Sequence, residues 1–356
     1  MPPGTDGVRT GDGPRRTGHG PVIGWHASHE QIHPAQLLAD VRHAEAAGFA
    51  AAMSSDHFAP WSRRQGHSGF AWAWLGAALA STGLGFGVVS APGQRYHPAV
   101  LAQALGTLAA MFPGRIWTAL GSGEAANEHV TGEVWPRKEV RDARLEECVE
   151  VIRRLLGGEE VSHEGLVTVD RARLWTVPET APSLVGPAVS EATAGRVAAW
   201  ADGLVTVNQP HDTLRRLIDA YRSAGGRGPL RLQVHLSWAP TRQRAEAIAV
   251  DQWRTNTFPP PACWDIPSVE VFDLVGEDVT AQRVAEVVRV SPDLDQHAEW
   301  LQQYLDLGFD ELYLHHVGQD QAAFIDAFGE RVLPALCSAS SGAPSPGAPR
   351  PSEPVP

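Results

Sequence analysis

The feature that most constrains this chain is a repeated alternation of a short apolar run, a polar or glycine-rich loop and an amphipathic helix. Three of the helix-to-strand junctions resemble one another closely: AEAAGFAAAMSSDH, AAWADGLVTVNQ and LDLGFDELYLHHV. In each, a glycine follows the helix, the chain turns, and an apolar strand begins whose far end carries polar side chains. Strands that alternate with helices in this way are typical of a parallel sheet.

Counting these units predicts about eight strands, each followed by a helix. This count favours a closed α/β architecture, the (β/α)8 TIM barrel, over an open doubly wound sheet. The strands are predicted at 21–28, 49–54, 84–90, 115–120, 183–186, 203–207, 230–238 and 311–316. The helices are predicted at 34–47, 70–81, 98–111, 138–156, 191–201, 212–224, 241–256, 294–307 and 319–333.

A single domain is predicted over residues 21–336, since barrels of this kind reach such a length as one unit. The flanking stretches 1–20 and 337–356 are rich in Gly, Pro and Ser, and we expect both to be disordered tails. Two segments, near 157–182 and 257–290, interrupt the alternation. They are predicted to be insertions at the barrel rim, where such segments shape substrate pockets.

The overall charge restricts the class of partner. A formal net charge of −12 argues against a general affinity for nucleic acid or for a membrane of anionic lipid, so a small-molecule partner is favoured. Cys148, Cys263 and Cys337 are far apart and form no CxxC pair, which is typical of a reducing compartment. The chain also lacks an apolar signal-peptide core and a membrane-length apolar run, so a cytoplasmic location is expected.

The ends of the predicted strands carry most of the reactive side chains. In a parallel barrel the loops after the strands converge on one mouth, so these groups should meet there. Gathered imidazoles, indoles, one acid and small-residue turns suit a site that binds a flat aromatic molecule and moves a proton beside it. In strand order they are Trp25, His26, Ser28 and His29; Asp56, His57 and Trp61; Ser90, Pro92, Gln94, Arg95 and Tyr96; 121–128; 186–190; Asn208 and Gln209; Ser237 and Trp238; His315, His316 and Gln319.

Familiar cofactor and catalytic motifs are absent from the sequence. GSGEAA lacks the third glycine of GxGxxG, and neither GxxxxGK[ST] nor a GxSxG elbow occurs. The histidines show no HExxH spacing, and no metal site is predicted. The segment LVGPAVSEATAGR could cradle an anion at a helix N-terminus, although a turn with no such role fits the pattern as well.

Four segments together resemble the luciferase-like superfamily of flavin-dependent (β/α)8 oxidoreductases. They are SDHFAPW, RYHPAVLAQALGTLAAMFPGR, LGSGEAANEHVTGE and GFDELYLHHVGQDQAAFIDAFGERVLPAL. Within that superfamily the chain is most similar to the branch containing deazaflavin-dependent glucose-6-phosphate dehydrogenases. The resemblance covers about residues 22–336 and implies a tricyclic cofactor in the barrel mouth, against a bulged third strand.

The resemblance also implies roles for individual residues. His57 would act as general base, Trp61 would steady developing charge, and Glu124 would supply or orient a proton. The set expected to hold the cofactor comprises Asp56 and Asn127 at the ring, the third-strand residues Val88, Val89 and Ser90, Ser122, and a phosphate turn of Gly186, Pro187 and Ala188. A near-neutral imidazole fits the first role, because hydride transfer from a carbinol requires removal of its hydroxyl proton.

Two departures from that branch guide the choice of substrate and cofactor. The segments VTVNQPHDTL and DLVGEDVTAQRVAEVV contain no lysine to bind a sugar phosphate, so glucose 6-phosphate is not expected as substrate. The scarcity of lysine favours FMN over deazaflavin coenzyme F420 with its anionic tail; the latter stays the alternative.

We therefore expect an FMN-dependent oxidoreductase, either a dehydrogenase or a monooxygenase. It would act on a small organic substrate, use a flavin reductase or a nicotinamide donor, and form a homodimer by analogy with the family. A deazaflavin-dependent alcohol dehydrogenase and a non-catalytic ligand-binding barrel are the alternatives.

Overall fold

The computed structural model describes residues 21–341; the tail predicted at 1–20 and the part of the other tail at 342–356 lie outside the described residues. The described chain alternates strands with helices throughout. The strands are β1 (Val22–Ala27), β2 (Ala51–Ser55), β3 (Gly85–Ser90), β4 (Ile116–Leu120), β5 (Val161–Glu164), β6 (Thr168–Ala172), β7 (Leu184–Pro187), β8 (Leu204–Val207), β9 (Leu230–Ser237), β10 (Arg289–Val290) and β11 (Glu311–His316).

The helices cover the outside of the barrel and fill one long excursion. They are α1 (Pro34–Ala46), α2 (Ala71–Ser81), α3 (Pro98–Met111), α4 (Ala125–Glu128), α5 (Lys138–Leu156), α6 (Glu191–Val197), α7 (His211–Ser223), α8 (Arg242–Trp253), α9 (Ala262–Asp265), α10 (Val269–Gly276), α11 (Ala281–Val287), α12 (Leu294–Asp306), α13 (Ala322–Ala327) and α14 (Leu333–Ser341).

Eight parallel strands close into a barrel. Their order is β9-β11-β1-β2-β3-β4-β7-β8, and pairing of β8 with β9 closes the ring. The short β10 adds to the outside of β9. The prediction of a (β/α)8 barrel is therefore confirmed, and the open doubly wound sheet is excluded by the closure.

The interior of the barrel is narrow, and glycines make room for its largest rings. A Cβ on Gly87 would lie 2.0 Å from the ring of Trp117, and one on Gly24 would lie 2.6 Å from that of Tyr313. Trp117 and Tyr313 contact each other edge to face, with ring centroids 5.8 Å apart. They belong to a core layer within the barrel, below the polar residues at the strand ends.

The two insertions take different positions. Residues 157–182 form the antiparallel β5–β6 hairpin, which follows α5 and packs outside the barrel. His97, at the start of α3, contacts the carbonyl of Thr168, and Glu147 of α5 bonds His163. None of the described residues of this hairpin lines the mouth cavity, so the expected contribution to the pocket is not found there.

The second insertion does reach the mouth. Between β9 and α12 the chain forms α8 to α11 and β10 before it resumes the barrel pattern. Trp253, at the end of α8, packs against His235 and His315, and Trp264 of α9 lines the cavity. This excursion therefore forms one side of the pocket.

Two expectations about the chain differ from the structure. The helix α14 runs to Ser341, so residues 337–341 are helical and not part of a disordered tail. The third strand keeps a continuous register with both neighbours from Gly85 to Ser90, so the bulge implied there is absent. Neither residues 337–341 nor residues 85–90 include a proline or a residue with positive φ, which would interrupt the hydrogen bonding of the helix or the strand.

Candidate active site

A cavity of about 210 Å³ opens at the carboxyl ends of the barrel strands. Its wall between β3 and β8 is built mostly from small side chains and glycine, which leaves room for a flat molecule. The lining residues there are Val89, Ser90, Ala91, Gly121, Ser122, Gly123, Pro187, Ala188, Val189, Val205, Thr206 and Val207. Positive φ at Gly123 (86°) is a conformation that a residue with a Cβ rarely adopts.

His57 is held by a buried carboxylate that sequence analysis did not identify as functional. Its Nδ1 lies 2.7 Å from Oε1 of Glu30, which is fully buried. Glu30 also accepts hydrogen bonds from Ser55 at 2.6 Å and from Ser28 at 2.8 Å. With Nδ1 directed to Glu30, the other ring nitrogen, Nε2, faces the cavity.

The pair shifts the pKa of both partners. Burial of the ring lowers the pKa of His57, but the charge of Glu30 and its hydrogen bond outweigh burial, so the net pKa is raised above 6.5. Burial raises the pKa of Glu30, but the charge of His57 and the bonds from His57 and Ser55 hold it well below the usual range. Glu30 is therefore ionised across the neutral range.

Glu124 stands on the cavity side of the imidazole. Its Oε2 lies 3.9 Å from Nε2 of His57 and accepts hydrogen bonds from Trp61 Nε1 at 3.3 Å and Asn127 Nδ2 at 3.1 Å. The rings of His57 and Trp61 contact edge to face with centroids 4.5 Å apart. The structure thus brings together the three residues proposed for catalysis, from the loops after β2 and β4.

Asn127 and Asp56 lie at the cavity but are already engaged with the protein. The Asn127 carbonyl oxygen accepts from the backbone amides of Phe58 and Ala59, which fixes the loop that carries His57. One Asp56 oxygen accepts from Trp72 at 3.1 Å and Ser90 at 2.6 Å, and the other accepts from Tyr96 at 3.0 Å. Both residues line the cavity, so these contacts support the site, and their predicted hydrogen bonds to the cofactor ring stay a prediction.

A cluster of charged side chains lies beside the cavity at the start of α5 and in α6. Lys138, the only lysine of the chain, lines the cavity together with Thr193. Asp142 forms ion pairs with both Lys138 and Arg196. Two cations sharing one carboxylate leave a net positive charge, which suits a phosphate group.

Two residues of the predicted cofactor set do not line the cavity. Val88 is fully buried in the layer between the barrel and its helices, because strand residues alternate in direction and Val89 faces inward. A Cβ on Gly186 would lie 2.5 Å from that of Val197, so this glycine permits close packing of α6. The remaining members of the predicted set, Val89, Ser90, Ser122, Pro187 and Ala188, are among the lining residues.

Most of the other strand-end residues support the fold. Examples are Trp25, whose indole donates to Gln321, and Asn208, which bonds the carbonyl of Val287 and so fixes the excursion. His316 stacks on Phe324 in the outer layer. Functional candidates that sequence reasoning missed are Glu30, Gln31, Lys138, Thr193, Gln233, Trp253 and Trp264.

One sequence signal could have pointed to Glu30. It lies within HASHEQIH directly after the first strand, three residues past its end, as do the predicted groups of the other strands. Within residues 21–341, no group of three or more His, Cys, Asp or Glu side chains is arranged to hold a metal ion. No helix in that range is long and apolar enough to cross a membrane.

Curated relatives cover nearly the whole described chain. An F420-dependent glucose-6-phosphate dehydrogenase from Nakamurella multipartita is 35% identical over 330 residues, covering 88% of this chain and 96% of the relative. One of the same name from Intrasporangium calvum is 35% identical over 333 residues, covering 88% of this chain and 98% of the relative.

Solved structures also match this chain over most of its length. An F420-dependent secondary alcohol dehydrogenase in complex with an F420-acetone adduct is 30% identical, with a TM-score of 0.81, over 89% of this chain and 99% of that chain. The monooxygenase RslO1 from Streptomyces bottropensis, 22% identical, has a TM-score of 0.67 over 88% of this chain and 98% of that chain, and shares the fold. The model of the luciferase-like monooxygenase family matches residues 20–311. The chain therefore belongs to the luciferase-like monooxygenase family.

Proposed function

We propose that this luciferase-like oxidoreductase is a deazaflavin (F420)-dependent dehydrogenase of small, uncharged alcohols. The observation that carries the proposal is the orientation of His57. Its Nδ1 is bound to ionised Glu30, and its Nε2 is directed to the cavity beside Glu124. This is the arrangement of a general base whose tautomer is fixed by a carboxylate.

The protein's own groups account for the proton. When an alcohol is oxidised to a ketone, the hydroxyl proton passes to Nε2 of His57, and Glu30 stabilises the imidazolium that forms. Trp61 and Asn127 donate to Glu124 and keep its carboxylate next to that nitrogen. The deazaflavin, when bound, supplies the acceptor for the hydride that leaves the carbinol carbon.

The cavity fits a cofactor of this shape. Small residues of β3, β4, β7 and β8 form a wall for a tricyclic ring, and Lys138 with Thr193 would hold its phosphate. The curated relatives and the alcohol dehydrogenase described above are named as F420-dependent, which supports deazaflavin for this chain. The preference for FMN drawn from the sequence is not confirmed by these names.

An uncharged substrate is favoured by the pairing of the cations at the cavity. Of the two lining side chains with a permanent positive charge, Arg95 lies 3.6 Å from carboxylate oxygens of both Asp56 and Glu128. Lys138 pairs with Asp142 at the end proposed for the cofactor phosphate. Among the described lining residues no further Lys or Arg is left for a sugar phosphate, which separates this chain from the activity in its relatives' names.

An FMN-dependent oxidoreductase, including a monooxygenase supplied by a flavin reductase, is the second candidate. The observation in its favour is the small positive charge at the cofactor end, one net cation from Lys138, Arg196 and Asp142. FMN ends in one phosphate, whereas F420 continues into an anionic tail that a more basic groove would bind better. The electron donor, the cytoplasmic location and the homodimer stay predictions.

The test is to identify the cofactor and then the reaction. The purified protein is titrated separately with F420 and FMN, and the bound species is verified by mass spectrometry. We expect tighter binding of F420 and anaerobic reduction of F420 by alcohols. Exclusive binding of FMN together with oxygen-dependent turnover would overturn the proposal in favour of the second candidate.

A further inference from the structure

Four aromatic rings form a wall of contacts that runs from the base to β9, and none of the four is among the residues that line the cavity. This aromatic wall consists of Trp61, Trp253, His235 and His315. The centroid of Trp253 lies 5.9 Å from that of Trp61, 4.7 Å from His235 and 4.8 Å from His315. Because Trp61 also packs on His57, the wall runs without a break from the base to the end of β9.

A chain of hydrogen bonds behind this wall begins at Gln31. Its Nε2 donates to the backbone carbonyl of Val317 at 2.5 Å and to Oε1 of Gln252 at 3.2 Å. A carbonyl can only accept, so the orientation of the Gln31 amide is fixed, and its Oε1 must be an acceptor. His315 donates to that oxygen through Nε2 at 2.8 Å.

The next link is set by the protonation state of His315. Burial lowers its pKa well below 6.5, with the neighbouring His26 and His235 adding to the effect, so the ring is neutral. A neutral ring with its proton on Nε2 carries a lone pair on Nδ1. That lone pair accepts from Nε2 of Gln233 at 3.1 Å.

Gln233 completes the chain and ends it at the cavity. Its Nε2 also lies 3.1 Å from Nε2 of His235, so the two amide protons are both used by imidazoles. Within residues 21–341 its carbonyl oxygen, Oε1, has no donor, and the residue lines the cavity. A chain of hydrogen bonds that starts 202 residues earlier in the sequence, at Gln31, thus fixes the Gln233 amide so that its oxygen is left as a free acceptor at the cavity.

We propose that Oε1 of Gln233 accepts a hydrogen bond from a second hydroxyl of the substrate, so that the preferred substrates are uncharged diols or polyols. The inference rests on the proposed function, in which the hydroxyl being oxidised donates its proton to His57. A second donor is needed because one hydroxyl proton cannot serve both acceptors.

The uncharged surroundings of Gln233 favour a substrate hydroxyl over the cofactor phosphate as its partner. Gln233 lines the same cavity as His57, whereas the cations that suit a cofactor phosphate are Lys138 and Arg196. Burial also lowers the pKa of His235 to about 3, so the imidazoles beside Gln233 carry no charge to attract an anion. A carbonyl oxygen among neutral rings selects a neutral donor group.

The experiment compares alcohols that share a carbon skeleton. Turnover and equilibrium binding are measured with cyclohexanol and with cyclohexane-1,2- and 1,3-diol, on wild-type protein and on Gln233→Met and Gln233→Glu. Gln209→Met is the matched control, because Gln209 follows the neighbouring strand and bonds only Thr206 among the described residues. Affinity for F420 and for FMN is measured on every variant.

We expect wild-type kcat/KM to favour one of the diols by about 10-fold or more, since a buried acceptor without its donor is costly. Gln233→Met should lose this preference, Gln233→Glu should keep it through its acceptor oxygen, and Gln209→Met should behave as wild type. Cofactor affinity should be unchanged in all three variants.

Three results would overturn the inference: equal use of diols and cyclohexanol by wild type, the same preference in Gln233→Met, or a tenfold loss of cofactor affinity in that variant. Equilibrium binding distinguishes failure of the proposed dehydrogenase activity from failure of the proposed role of Gln233. Absence of alcohol turnover with intact diol-selective binding would refute the dehydrogenase and leave the role of Gln233 supported.

Discussion

Replacement of Glu30 by glutamine is the change that tests the site most directly. The substitution keeps the size of the side chain and removes the charge 2.7 Å from Nδ1 of His57. With charge centres about 4 Å apart and an effective dielectric constant of about 20, the lost attraction is about 4 kcal/mol. At about 1.4 kcal/mol per unit, this corresponds to a fall of about 3 units in the pKa of His57.

The sign of the effect on activity follows from the role of His57 as a base. In the wild type its pKa is raised above 6.5, so kcat/KM for alcohol oxidation should rise with pH through that raised value. Without Glu30, burial lowers the pKa of the ring and only the more distant charge of Glu124 opposes it, so the rising limb should move to lower pH by about 2 to 3 units. The plateau should also fall by about 10²-fold or more, because the imidazolium has lost its counter-charge.

The assay is a kcat/KM profile for alcohol oxidation over the pH range in which histidine titrates, with cofactor affinity and thermal unfolding as separate readouts. Ser28→Ala is the matched control, since Ser28 bonds the other Glu30 oxygen, at 2.8 Å, and leaves the contact with His57 intact. A folded, cofactor-binding Glu30→Gln enzyme whose limb stays at the wild-type pH would refute this account of His57.

Three further outcomes are expected. His57→Asn should lower kcat by about 10²- to 10⁴-fold with unchanged cofactor affinity in a fluorescence titration, and a smaller loss would contradict a general-base role. Lys138→Gln should weaken binding of F420 by about 10-fold or more but leave binding of a phosphate-free deazaflavin unchanged. The control Arg215→Gln should leave binding of both compounds unchanged, because the side chain of Arg215 pairs with Asp212 outside the cavity. Gly87→Ala should cost about 1–3 kcal/mol of unfolding free energy in a denaturant titration, because the new Cβ meets Trp117, and Gly195→Ala, with open space around it, should be neutral or stabilising.

The closed barrel and the location of its reactive groups could be predicted from the sequence. Strand and helix periodicity and the glycines after helices are local signals, and they predict eight strands. In a parallel barrel every strand end lies on one face, so His57, Trp61 and Glu124 had to share the mouth once the strands were assigned. The motifs carried the family resemblance for the same reason, since they sit in the loops that follow those strands.

The partners of these groups were decided only by the tertiary structure. Glu30 meets His57 across 27 residues, and Gln31 sets the proton positions of Gln233 through His315, because hydrogen bonds join strand ends that are adjacent in space and distant in sequence. Direction along a strand and packing against α6 likewise turned Val88 and Gly186 away from the cavity. A sequence indicates which chemistry is present at the mouth, whereas the folded chain fixes which atom of each side chain is left free to use it.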